Sequence, residues 1–253
     1  CLNPAPAGSL AGRVVACKRG TNARVAKSAN VAAGGAAGMI LYNTGATQSL
    51  NADIHSIPSV HVDSAQGAAL VAFLAAQANP QAGLVGSRQL TGAGDVVASF
   101  SSRGGPSLAL GIAKPDVAAP GVDILAGYSG KLAVPVGLDG QIYNILSGTS
   151  MASPHVAGAA ALLKQLHPSW GPGEIKSALM TTATDEVVKE DGVTPATPFD
   201  VGSGRIDLAK AGSAGLLISE KAEDFVSLKN NLWLANYPSL YVPVMPGKVA
   251  VPR

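Results

Sequence analysis

The stretch Gly148-Thr149-Ser150-Met151-Ala152-Ser153-Pro154-His155-Val156-Ala157-Gly158 decides which fold and which chemistry we expect of this chain. Ser150 follows a small, flexible pair and opens a strongly apolar segment that predicts a helix to about Leu166. The first backbone N–H groups of a helix have no intrahelical acceptor, and the helix dipole is positive there. A serine at that position can attack a carbonyl carbon while its own N–H group binds the developing oxyanion.

Composition excludes several classes of function. The chain has 253 residues, of which 47% are hydrophobic and 13% are charged. Its 18 basic and 16 acidic residues leave a net charge of +2, and the basic residues are scattered. This charge gives no electrostatic case for binding nucleic acid or anionic lipid. The longest apolar runs are too short for a membrane span, or are broken by glycine pairs. The first residues do not resemble a signal peptide and lack an initiator methionine, so we expect something upstream.

Residues 1–90 predict a small α/β module with its own core. Apolar β runs at 12–17, Met39–Tyr42 and Ile57–Val62 alternate with helical spacing at 22–33 and at Ala65–Gln77. The only two cysteines, Cys1 and Cys17, fall in this module. Their spacing alone fits either a disulfide in an exported protein or two reduced thiols in a cytosolic one.

Residues 91–213 predict a second unit. A Gly- and Ser-rich region contains a β run at Val96–Phe100, and buried strand segments are expected at 117–121 and Asp123–Ala126. Ile142–Leu146 leads into the Ser150 helix. The Ser150 helix is apolar almost all round, so we expect it to be buried within a larger sheet protein. Another helix should follow Gly171-Pro172. Beyond about residue 212, residues 224–253 alternate like strands and predict the opening of a third, β-type unit.

The motif around Ser150 resembles the serine motif of the subtilisin-like (subtilase, S8) serine peptidases. The likeness continues through several segments that flank the motif: Phe100–Gly104, Lys114–Gly121, His167–Trp170, Ile175–Ala183 and Gly202–Asp207. Residues 1–90 resemble the protease-associated (PA) domain inserted in larger subtilases, and the residues after about 214 resemble the start of a fibronectin-III-like domain.

The resemblance implies an α/β fold: the C-terminal half of a three-layer, parallel-sheet peptidase domain (91–213), after a PA-like domain (1–90) and before a truncated β-sandwich (214–253). It implies peptide-bond hydrolysis through an acyl-enzyme on Ser150. Family chain order is Asp, His, Ser, so the catalytic Asp, the His and the oxyanion Asn would precede this chain. We therefore expect this segment to be inactive alone. The alternative is a non-catalytic binding segment.

Further expectations follow from the resemblance. The protein should be secreted, which favours a Cys1–Cys17 disulfide. Its partners should be a protein or peptide substrate, the upstream part of the same peptidase domain, and a second copy bound through the PA-like domain. No organic cofactor is implied. Structural calcium is common in the family, but no ligand set is visible, and the substrate-binding residues cannot be assigned.

Other candidate residues have simpler interpretations. His155 lies five positions after Ser150, about 500° around a helix, so the two side chains point to different sides. His167 is typical of a helix end. His55 and His61, with Asp53 and Asp63, make a metal pair conceivable but not favoured.

Two further alternatives concern the chemistry. Asp116 fits an anchoring aspartate better than a triad acid, and Arg103 and Lys114 fit loop-fixing charges. An α/β-hydrolase esterase, which Gly148–Ala152 approaches, needs a histidine well after the serine. Only His155 and His167 follow Ser150, and both lie on or just past its own helix, so the histidine positions exclude an esterase of this class.

Overall fold

A computed structural model describes residues 1–86, 92–105, 111–129, 142–229, 231–242, 244–245, 247–251 and 253. The chain divides into two compact units: residues 1–91 with 122–147, and residues 92–121 with 148–253. Whether these units correspond to the PA-like, peptidase and fibronectin-III-like modules stays a prediction. Within the described ranges, no helix is both long and apolar enough to cross a membrane.

The elements of the first unit are β1 (Val14–Lys18), α1 (Arg24–Ala33), β2 (Gly38–Tyr42), β3 (Ser59–Val62), α2 (Ser64–Ala76), β4 (Ile124–Gly127) and β5 (Tyr143–Leu146). Strands β1, β2 and β3 form a parallel sheet in that order, with Cys17 opposite Leu41 and Leu41 opposite His61. Strands β4 and β5 form an antiparallel pair. The predicted strand and helix alternation of residues 1–90 is therefore present, with small shifts of the element ends.

The core of the first unit lies at the central strand β2. Met39 and Leu41 are fully buried and pack with Cys17, Val31 and Ala36. Burial of the large apolar side chains of β2 accounts for this packing, and α1 contributes Val31 to it.

Helix α2 is different, because most of its apolar surface is exposed. Asp63 caps the helix by accepting a hydrogen bond from the Gln66 backbone N–H group at 2.7 Å, and the Asp63 N–H group donates to the Gln66 side-chain oxygen at 3.3 Å. Val71 and Phe73 are each 46% exposed. The helix is held at its first turn while its later apolar side chains face solvent.

The second unit contains α3 (Thr149–Leu166), α4 (Pro172–Thr181), α5 (Pro198–Val201), α6 (Leu208–Ala211), α7 (Ala222–Ser227) and a short 3-10 turn (Leu232–Leu234). Its main core joins α3, α4 and α6 through six buried residues: Ala159, Leu163, Ala178, Leu179, Ile206 and Ala211. Arg205 forms isolated β-bridges with Ala118 and with Thr184. Helix α3 is thus fixed by one side to the rest of this unit.

Helix α3 is only partly buried within this chain, and its burial within a larger sheet protein stays a prediction. Ala159 and Leu163 are each 2% exposed, whereas Leu162 and Leu166 are 57% and 60% exposed. The reason is that α4 and α6 cover only one face of the helix. Leu162 lies at the edge of the covered face, and Leu166 is the last residue of the helix.

Two predicted β segments also differ from the structure. Val96–Phe100 makes only one isolated bridge, from Val96 to Val188, before the chain turns. The described part of 224–253 contains helical turns and no strand, because Phe225, Leu228, Ala235 and Tyr237 pack around Met180 of α4. Alternation in this segment therefore does not reflect a sheet here, and the β-sandwich stays a prediction.

The structure joins Cys1 to Cys17 by a disulfide, with Cα atoms 5.9 Å apart. The side-chain amides of Asn22 and Asn30 also donate to the Cys1 carbonyl oxygen, each at 3.1 Å. Because the bond closes a loop across 16 positions, breaking it should lower the free energy of unfolding of this unit by about 3 kcal/mol.

A peptide map of the unreduced protein should recover Cys1 and Cys17 in one linked peptide, and urea unfolding with and without reductant should give the energy. A variant with both cysteines changed to serine is the control, since reductant should not affect it. Free thiols at both positions before reduction would contradict the assignment.

Two consecutive leucines of α3 differ in burial and predict unequal effects of the same truncation. Leu163→Ala removes a core side chain and should cost about 2–4 kcal/mol, whereas Leu162→Ala removes a side chain that is 57% exposed and should cost less than about 1 kcal/mol. Trp170 and Trp233 are the only tryptophans, and both belong to the second unit. Urea unfolding followed by tryptophan fluorescence therefore reports this unit. Equal losses of unfolding free energy in the two variants would contradict the burial of Leu163 and the exposure of Leu162.

Candidate active site

The turn before α3 sets the position of Ser150. Gly148 is extended, and its carbonyl oxygen accepts hydrogen bonds from the N–H groups of Met151 and Ala152 at 2.9 and 3.4 Å. Gly148 therefore ends the turn, and Ser150 lies in the first helical turn. Its backbone N–H group is one of those that lack an intrahelical acceptor, at the positive end of an 18-residue helix.

Gly121 holds this turn from outside the helix. Its carbonyl oxygen accepts the Gly148 N–H group at 2.8 Å. A Cβ atom on Gly121 would lie 2.8 Å from the Gly148 carbonyl oxygen and 3.2 Å from the Ala152 Cβ atom. Only glycine allows the two backbones to approach this closely. No local pattern predicts this contact, and the Pro120-Gly121 pair is the signal in the sequence that points to a tight backbone there.

Ser150 is exposed, and no hydrogen bond to its hydroxyl occurs within the described part of the chain. Its position fits a nucleophile, but nothing described activates it. A serine hydroxyl needs an adjacent base to become a nucleophile at neutral pH. The prediction of Ser150 as the catalytic residue therefore stays a prediction, with a geometry that suits it.

His155 is engaged within its own helix. Its Nδ1 atom lies 2.8 Å from the carbonyl oxygen of Met151, one turn earlier. A carbonyl oxygen only accepts, so Nδ1 carries the proton in this contact. This hydrogen bond favours a structural role for His155, in agreement with its predicted position on a different side of the helix from Ser150.

His167 has a structural environment at the end of α3. Its Nε2 atom lies 2.8 Å from the Gly212 carbonyl oxygen, and its ring stacks on Trp170 with centroids 3.8 Å apart. These contacts tie the helix end to the segment after α6. His167 is thus a helix-end histidine, as the sequence suggested.

The possible metal pair in the first unit is a hydrogen-bonded network. His61 Nε2 lies 2.8 Å from Asn43 Oδ1, and its Nδ1 accepts the Asn51 backbone N–H group at 3.2 Å. Asp53 pairs with Arg24. His55 contacts the Ser28 hydroxyl at 3.1 Å.

The acidic partners considered for a metal are therefore occupied, Asp53 by Arg24 and Asp63 by the start of α2. No group of three or more His, Cys, Asp or Glu side chains that could hold a metal occurs among the described residues.

Asp116 accepts hydrogen bonds from three side chains. Lys114 and Lys176 donate to Oδ2 at 2.7 and 3.0 Å, and Tyr237 donates to Oδ1. Burial alone would raise the pKa of Asp116, but these hydrogen bonds outweigh it and hold the pKa below its usual value. The anchoring role is as the sequence suggested. Tyr237 was missed, because no pattern links residues 121 positions apart.

Arg103 fixes a loop, as expected. Its Nε atom lies 2.9 Å from Oδ1 of Asp200, whose side chain is 7% exposed, and the guanidinium also pairs with Glu190. Asp200 in turn accepts the Thr197 N–H group at 2.7 Å. This carboxylate joins the loop after Phe100 to the start of α5.

The model of the Subtilase family, peptidase S8, matches residues 16–204. The chain belongs to the subtilase family. It is 43% identical over 241 residues to Subtilisin-like protease SBT1.7 of Arabidopsis thaliana, covering 90% of this chain and 31% of that protein. It is 36% identical over 230 residues to the CO(2)-response secreted protease of the same plant, covering 85% of this chain and 29% of that protein.

Among solved structures, fervidolysin from Fervidobacterium pennivorans, a keratinolytic enzyme related to subtilisin, matches 41% of this chain and 16% of its own, with 33% identity and a TM-score of 0.31. This subtilase chain spans about a third of the length of the curated relatives that it matches.

The histidine network of this subtilase chain predicts a loss of stability in mild acid. Burial lowers the pKa of His61, and the Arg19 charge lowers it further; burial also lowers the pKa of His55. Arg24 opposes protonation of both rings, and Asp53 favours it.

In the unfolded chain these histidines titrate near their ordinary pKa of about 6.5. As the pH falls below that value, the unfolded state binds protons that the folded state does not, so the stability present above about pH 6.5 is lost towards the lowered folded pKa.

Hydrogen exchange of peptides from 38–62 should therefore show weaker protection at pH 5.5 than at pH 7.5, after correction for intrinsic rates. His61→Gln should flatten this dependence, whereas His155→Gln, on the exposed surface of α3, should leave it unchanged. If the pH dependence of protection were the same in His61→Gln as in the wild type, His61 would not be its cause.

Proposed function

We propose that Ser150 is the nucleophile of a serine endopeptidase. Its Oγ atom attacks the carbonyl carbon of a peptide bond and gives its proton to a histidine base. The Ser150 backbone N–H group donates to the oxyanion of the tetrahedral intermediate. Collapse of the intermediate breaks the C–N bond, the amine leaves with the proton from the histidine, and water hydrolyses the acyl-enzyme.

The observation that carries this proposal is the position of Ser150 in a chain that belongs to the subtilase family. The hydroxyl is exposed and lies in the first turn of α3, where a backbone N–H group is available beside it. Both properties suit acyl transfer. The substrates would be proteins or peptides.

The proposal includes a base, an orienting aspartate and an oxyanion asparagine from residues outside these 253. Two observations support this. His155 already binds the Met151 carbonyl oxygen. Leu162 and Leu166 of α3 are exposed, so these side chains offer apolar surface on which the upstream part of the same peptidase domain would pack.

We also propose the finer domain organisation, with a PA-like domain at 1–90, the C-terminal peptidase segment at 91–213 and the start of a fibronectin-III-like domain at 214–253. The small parallel α/β sheet of the first unit supports the first of these. The Cys1–Cys17 disulfide supports secretion, because disulfides persist in oxidising compartments. One similar protein carries "secreted" in its name.

A second candidate function is a non-catalytic binding role for the PA-like segment, including contact with a second copy. The exposed apolar surface of α2, with Val71 and Phe73, favours it. Under this alternative Ser150 is inert in every context. The two functions therefore differ in the reactivity of one hydroxyl.

A fluorophosphonate probe distinguishes the two candidates. We expect it to label Ser150 in a longer chain that also supplies the family's His and Asp, and to leave the 253-residue chain unlabelled, because activation of the hydroxyl needs the base. Intact mass followed by peptide mapping gives the stoichiometry and the position.

Two variants of the longer chain control the assignment. Ser150→Ala should abolish labelling, and Ser153→Ala, which removes an exposed hydroxyl one turn later in the same helix, should leave it intact. Stoichiometric labelling of the 253-residue chain would refute the need for further residues. A folded longer chain that neither labels nor cleaves peptides would favour the binding role.

A further inference from the structure

Asp116 joins three parts of the second unit through one carboxylate. Lys114 belongs to the same segment, Lys176 lies on α4, and Tyr237 comes from the segment after α7. Tyr237 is 7% exposed, and its ring also lies 4.7 Å from the Lys176 Nζ atom. Three donors from three segments fix the carboxylate in place.

Backbone hydrogen bonds to residues 203–206 hold the segment that begins at Asp116. The Asp116 carbonyl oxygen accepts the Ser203 N–H group at 2.9 Å. Ala118 donates to the Gly204 carbonyl oxygen at 2.8 Å and accepts from Ile206 at 3.0 Å. At Gly204, where φ is +121°, a Cβ atom would lie 2.0 Å from the Thr184 carbonyl oxygen, so only glycine fits there. Residues 116–118 therefore have little freedom to shift.

This fixed segment ends at the turn that carries Ser150. Three residues after Ala118, Gly121 accepts the Gly148 N–H group at 2.8 Å and leaves no space for a side chain. Gly148 in turn accepts the first N–H groups of α3. An unbroken series of covalent and hydrogen bonds thus runs from the Tyr237 hydroxyl to the backbone of Ser150.

We propose that Tyr237 and Asp116 are positioning residues for the Ser150 turn. Tyr237 does not contact the turn itself. It holds Asp116, Asp116 holds residues 116–121, and Gly121 sets the direction of the Gly148 N–H group and the start of α3. The segment after α7 thereby acts on the orientation of the Ser150 hydroxyl and N–H group. This inference rests on the proposed function of Ser150.

The test compares Tyr237→Phe with Tyr241→Phe. Each change removes one hydroxyl from a tyrosine of the same segment, and the phenyl ring keeps the aromatic contacts of Tyr237 with Phe225 and of Tyr241 with Phe199. Among the described contacts, only the Tyr237 hydroxyl reaches Asp116. Asp116→Asn is the second variant, because it removes the charge and keeps the size.

In the longer, active chain, the rate of fluorophosphonate labelling and kcat should fall about tenfold in Tyr237→Phe, the size expected for one hydrogen bond to a charged group. KM should stay within about twofold, because Tyr237 acts on the turn and not on the substrate. Asp116→Asn should show at least the same loss, and Tyr241→Phe should match the wild type.

Hydrogen exchange of this 253-residue chain gives a readout that does not depend on catalysis. Tyr237→Phe should speed exchange in peptides covering 116–121 and 146–152 by at least about threefold, with tryptophan fluorescence confirming that the second unit remains folded. Unchanged exchange in both peptides, or a loss of activity that matches the unfolded fraction alone, would overturn the inference. Absence of labelling in the wild-type longer chain would instead refute the proposed function.

Discussion

The close contact between the backbones of Gly121 and Gly148 is the constraint on which the candidate active site depends. A hydrogen bond of 2.8 Å joins the two residues, and neither the Gly148 carbonyl oxygen nor Ala152 leaves room for a side chain on Gly121. The contact places a helix start, with its unpaired N–H groups, at the end of an extended segment. The reactivity proposed for Ser150 begins from this geometry.

The stability of that contact comes from elsewhere in the second unit. The helices α3, α4 and α6 bury a common apolar core, while Asp116 is paired with Lys176 of α4 and Asp200 of α5 is paired with Arg103. Burial of these carboxylates is tolerable because each accepts several hydrogen bonds. The unit thus combines a small apolar core with ionic contacts at its edges.

Local sequence patterns predicted much of the fold and little of its long-range organisation. The strands β1 to β3, the helices α1 to α4 and the Ser150 turn follow from periodicity, glycine positions and one motif. The pairing of Tyr237 with Asp116 did not, because contacts 121 positions apart leave no local signal. The described part of 224–253 forms helical turns instead of the predicted strands, and its apolar residues at 225, 228, 235 and 237 pack with Met180, a contact that local alternation does not reveal. The burial of α3 depends on which other segments pack against it, and the sequence of the helix alone does not determine this.

The exposed apolar surfaces of α2 and α3 affect how the chain behaves in solution. Phe73 and Leu162 each leave about half of their side chain in contact with water, and the net charge of only +2 supplies little electrostatic repulsion between molecules. Self-association should therefore increase with protein concentration and with salts that strengthen apolar contacts, such as sulfate. Purification at low ionic strength and low concentration is the condition under which single molecules of this chain are best handled.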